Sequence, residues 1–210
     1  MGWSDSDRKR LPAPTYPCLI DENHVVAQLY NMVNVPTAVW IDEEGRMVRP
    51  PESAGAGDAF RTMDTKTFEM PAEAVAQAKH QRKAYVNALR DWIEKGRASA
   101  HAVSPEELRR RIGVPGEAEA LAAANFRLGV ELYRSGRPES AGAYLAEARR
   151  LRPESWSYRR QSWELEEPGK AAGPEFWAAV EALGEKRYYQ PIEMEGMPDS
   201  AVDKGTCYNG

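Results

Sequence analysis

The chain has 210 residues, 42% of them apolar, with 28 lysines and arginines against 32 aspartates and glutamates for a formal net charge of −4. That balance allows one sizeable or two small folded domains and gives neither a polyanion-binding excess nor an acidic tail, so nucleic acid is not an expected partner. No run approaches the roughly 18 apolar residues of a membrane helix, and the start "MGWSDSDRKRLPAP" lacks a signal-peptide core; a cytoplasmic protein without a membrane partner is expected.

Residues 1–14 read as a charged leader or the remnant of a preceding part. "TYPCLID" (15–21) alternates toward a short strand, and "ENHVVAQLYNMV" (22–33) then places Val25, Val26, Leu29, Tyr30 and Val33 at helical spacing, with Asp21 as its cap. "TAVWID" (37–42) is β-branched and aromatic, Glu44-Gly45 marks a turn, and "RMVRP" (46–50) reads as an antiparallel return strand. After a Pro/Gly/Ala-rich loop from Pro50 to Asp58, a long helix is predicted from Pro71 to about Lys95, stopped by Gly96, with Ala74, Ala78, Tyr85, Leu89, Trp92 and Ile93 on its apolar face. The first half thus reads β-α-β-β-α, an α/β domain over 15–97.

This order, with "NVPT" set immediately before the first hairpin strand, resembles the C-terminal part of the thioredoxin fold in its TlpA-like and redoxin branches. The residues that carry the likeness are "CLIDENHVVAQLYNMVNVPTAVWIDEEGRMVRP". The resemblance implies that Pro36 is a cis-proline, that Val35 faces an extended substrate segment and that Thr37 opens the central strand. Val35, Pro36 and Thr37 are therefore the candidate substrate-binding residues. It also implies bacterial-type thiol-disulfide or peroxide chemistry.

That chemistry needs a thiolate at a helix N-terminus. Neither cysteine has that setting: Cys18 lies in a strand pattern, where a small buried apolar group is expected, and Cys207 lies in a Gly-rich tail. The family's CxxC-bearing βαβ unit needs roughly 30 residues, more than precede Thr15, so a start upstream of Met1, or an inactive incomplete fold, is the expectation. No catalytic residue, cofactor or metal is implied. An incomplete sheet would leave an open edge, and a homodimer through that edge is the corresponding expectation.

Beyond residue 98 strand signals disappear. "SPEEL" opens a helix with Ser104 and Glu107 as a capping box, and helices and turns are predicted to residue 187. "AAANFRLGVELYRSGRPESAGAYLAEARRLRPES" (122–155) resembles a single 34-residue tetratricopeptide repeat, with Leu128-Gly129, Leu132, Ala141, Leu145, Ala148 and Pro153 at the pattern positions and Asn125 departing from it. Gly129 and Ala141 would let two helices approach closely, and Trp156, Tyr158, Trp163, Phe176 and Trp177 would cap the repeat. Residues 188–210 read as an extended tail.

His24 beside Asp21 and Glu22 does not converge as a metal site, and the runs Arg109–Arg111, Arg149-Arg150 and Arg159-Arg160 read as solvated faces. No P-loop, GxGxxG, HExxH or GxSxG is present. Two functions follow: a thiol-disulfide oxidoreductase relative without its nucleophile, or a non-catalytic adaptor whose helical domain binds a protein or peptide partner.

Overall fold

Helix start and stop signals place most of the architecture. The computed structural model describes residues 15–198, and residues 1–14 and 199–210, including Cys207, lie outside the described part. Its helices are α1 (Val25–Leu29), α2 (Ala72–Lys95), α3 (Pro105–Ile112), α4 (Glu117–Arg134), α5 (Pro138–Leu151), α6 (Trp156–Glu166) and α7 (Pro174–Glu181). None of the described helices is long and apolar enough to cross a membrane.

The expected α/β sheet does not form. Among the described residues strand pairing is limited to two isolated antiparallel bridges, Ala38 with Glu52 and Ile41 with Met47. Around the turn at Gly45 (φ +77) the Asp42 N–H donates to Arg46 O and the Val48 N–H to Trp40 O, both at 2.9 Å. The register then slips before Ala38 and Glu52 exchange bonds of 2.9 and 3.2 Å, because Pro50 and Pro51 have no N–H with which to continue a ladder. "TYPCLID" pairs with neither segment: Leu19 and Ile20 are 92% and 79% exposed, and Cys18 is exposed rather than packed. Residues 15–97 are therefore not a thioredoxin-like domain, and the redoxin character drawn from that fold falls with it. The homodimer through a sheet edge also loses its basis, since the described residues form no sheet to have an edge.

Helix α2 takes the place of the missing strands. It buries Ala74, Gln81, Tyr85 and Ala88, a narrower stripe than expected, and Ile93 is 71% exposed. Trp40 packs under it, stacked on Trp92 at 5.1 Å and edge-on to Tyr85 at 5.8 Å. The indole N–H donates to Tyr85 Oη at 2.7 Å. Burial pushes the Tyr85 phenol up to about 12, with the neighbouring Glu52 adding to the rise against the Trp40 bond, so the hydroxyl stays protonated.

The helical block follows its sequence signals closely. Ser104 Oγ accepts from the Glu107 N–H at 3.2 Å to open α3, and Pro138 stands in the first turn of α5. Helices α4 and α5 form an antiparallel hairpin around Ala122, Phe126, Val130, Leu132, Ala141, Leu145 and Ala148, with Tyr158 of α6 stacked on Phe126 at 4.2 Å. Residues 22–33 lie across this block. Arg134 donates to Glu22 O and Asn23 Oδ1, Arg152 to Asn31 Oδ1, and the Ser157 N–H to Val33 O, while the His24 ring sits edge-on to Phe126.

Gly129 sets the spacing of α4 and α5. A Cβ there would stand 2.7 Å from Leu145 Cγ and Cδ2 and 3.3 Å from the Leu145 backbone nitrogen. Alanine is the better helix former by about 1 kcal/mol, but overpacking a fully buried leucine costs about 1–3 kcal/mol, so the clash wins. Gly129→Ala is expected to lower stability by up to about 2 kcal/mol in urea denaturation; a variant more stable than the parent would show slack in the α4–α5 contact.

Candidate functional site

The segment after α7 is tied back across the molecule by two buried ion pairs. Asp58 is 1% exposed. Its carboxylate accepts the backbone N–H groups of Tyr188 and Tyr189 at 2.9 and 2.8 Å and the Arg61 guanidinium at 3.1 Å. Arg61 in turn donates to Gly184 O and Lys186 O at 2.8 and 2.9 Å, in the turn that follows α7. Arg49, also 1% exposed, makes a bidentate pair with Glu52 at 2.8 and 3.0 Å and donates to His101 O and Glu193 O. Between these anchors Tyr188 is buried against Trp156, Phe176 and Val180, and Ile192 against Trp40, Val48, Tyr85 and Ala88.

Residues 188–193 so held form one wall of a cleft of about 1110 Å³. Residues 31–34, Pro36, Thr37 and 50–53, the α5–α6 junction with Trp156 and Arg159, the end of α7 and the Arg110–Arg111 pair of α3 complete it. Of the three residues the sequence put forward, Pro36 and Thr37 line this cleft. Val35 is 58% exposed and the Val35–Pro36 peptide is cis. Both backbone polar groups of Val35 are engaged within the chain, its N–H with Asn34 Oδ1 at 2.9 Å and its C=O with Tyr189 Oη at 2.7 Å. Asn34 Nδ2 donates to Tyr188 O at 3.2 Å, a second bond between these two walls. Burial, with the Tyr188 and Asp58 neighbours adding to it, raises the Tyr189 phenol to about 12, so this hydroxyl remains a donor.

Arg159 is the residue the sequence reading missed. Rather than lying on a solvated face, its guanidinium stands over Trp156 at 4.8 Å and Trp163 at 5.9 Å. The signal was in the spacing: Trp156, Arg159 and Trp163 stand at i, i+3 and i+7, which puts all three on one helix face. Burial, and the positive charge of Arg149, hold its pKa below the usual arginine value. Arg160 likewise lies over Phe176 at 5.0 Å.

Among the described residues no group of three histidines, cysteines, aspartates or glutamates is placed to hold a metal ion. The one cysteine described, Cys18, is not among the cleft residues. Comparison of the chain with protein-family models, curated proteins and solved structures finds no match.

The Asp58 carboxylate is expected to be indispensable to this arrangement. Asp58→Ala leaves a buried guanidinium and two backbone N–H groups without their acceptor and is expected to cost about 3–5 kcal/mol, measured by chemical denaturation; a loss under about 1 kcal/mol would mean that the 188–193 wall is held by its side chains alone.

Proposed function

We propose that this chain is a non-catalytic adaptor that holds a segment of a partner protein in the cleft between α6, α7 and residues 188–193. The observation that carries this reading is the cleft itself. Its volume of about 1110 Å³ exceeds the roughly 300–1,000 Å³ of small-molecule pockets and suits several residues of a peptide. Its walls present Tyr189 and prolines at 36, 50, 51, 153 and 191, backed by the buried rings of Trp156 and Tyr188. Rigid aromatic and proline surfaces lose little conformational entropy on binding and dominate peptide and protein interfaces. The tetratricopeptide-type spacing of the α4–α5 hairpin supports the same reading, since such hairpins act as recognition scaffolds. Here residues 22–33 cover part of the hairpin, so the cleft at its α5–α6 end is the surface offered to a partner.

Ala182 lines the cleft from the end of α7 and is exposed. Ala182→Trp is therefore expected to fill the cleft without disturbing the core. Against arrayed decapeptides it should abolish the binding shown by the parent chain while far-ultraviolet circular dichroism stays unchanged. Equal binding by both chains would rule the cleft out as the recognition surface.

A further inference from the structure

The charges along the cleft do not cancel locally. Its three lining carboxylates are each engaged by an arginine: Glu52 by Arg49, Glu154 by Arg152 and Glu193 by Arg111. Arg110, also on the wall, is paired with Glu107. Arg159 and Lys186 line the same cleft and make no ion pair with a carboxylate among the described residues. The Arg159 guanidinium donates to Pro153 O at 3.2 Å and rests on Trp156 and Trp163. It is half-buried and further crowded by the positive charge of Arg149, so it has lost much of its hydration without gaining a counter-charge. A planar guanidinium fixed on an aromatic face presents its remaining N–H groups in a fork that matches a carboxylate. The field at the start of α6 has the same sign.

Resting on the peptide-binding reading above, we infer that the cleft takes an acidic peptide segment, with one carboxylate seated on Arg159 and further negative charge met by Lys186. A nucleic acid fits less well, because a chain of net charge −4 that offers Arg159 and Lys186 here makes too few phosphate contacts to hold a continuous row of them.

The test uses the full chain and three decapeptide libraries matched in apolar content but acidic, neutral or basic, each with a free and an amidated C-terminus, read by tryptophan fluorescence. The acidic library is expected to bind at least about tenfold more tightly than the neutral one, with the advantage shrinking as sodium chloride rises. A side-chain carboxylate shows as binding indifferent to amidation, a terminal carboxylate as binding that needs the free end; either supports the inference. Arg159→Gln should erase about tenfold of the acidic preference and Arg159→Lys should restore part of it. Since Arg159 packs on two tryptophans, the exposed Lys186→Gln provides a second variant, expected to weaken acidic peptides severalfold and neutral ones by less. Equal binding of the three libraries, or acidic binding unmoved by both variants, would overturn the inference and leave the peptide reading standing. Binding by none would overturn both, and an oligothymidylate that displaces the acidic peptides at lower concentration would overturn it in favour of nucleic acid.

Discussion

The carboxylate of Asp58 is the point on which the rest of the site depends. Burying a charge is costly unless it is paired and fully hydrogen-bonded, and Asp58 meets that condition only because Arg61 and the amides of Tyr188 and Tyr189 converge on it. The same contacts bring a segment some 130 positions away in sequence to the loop before α2. Once it is there, Tyr188 fills the space between Trp156 and Phe176, and Tyr189 reaches Val35. The wall of the cleft follows from that one electrostatic requirement, with the Arg49–Glu52 pair repeating it further along at Glu193.

The cleft in turn inherits its character from helix α6. A helix brings residues three and four apart onto one face, so Trp156 and Trp163 flank Arg159 and convert a long flexible cation into a fixed platform. The hairpin beneath it is rigid for a different reason, the absence of a side chain at Gly129 against Leu145. Close backbone packing thus supports a surface whose recognition is electrostatic and aromatic.

The sequence was legible where a single helix decides its own limits. Pro71 and Gly96 bound α2, Ser104 opens α3, and Pro138 starts α5, because capping and backbone conformation are local. The sheet was misread because alternation of apolar residues reports only that a segment can pair. Whether it does depends on a partner with free N–H groups, and Pro50-Pro51 denies one to residues 37–42 beyond the turn. The wall at 188–193 was read as tail because its anchors, Asp58 and Arg49, lie far away in sequence and carry no pattern except an oppositely charged residue three positions on. Pro36 and Thr37 were picked out through a resemblance whose fold does not form, yet they line the cleft; the sequence held no indication of the 188–193 segment that encloses them.

Amide hydrogen exchange at Tyr188 and Tyr189 tests the central claim most directly. If their N–H groups are held by a buried carboxylate, both should exchange at least about a hundredfold more slowly than the same residues in an unstructured peptide, alongside the core amides of α2 and α4. Exchange near the unstructured rate at both positions would mean that the 188–193 segment is not fixed to Asp58, and the cleft would lose its wall.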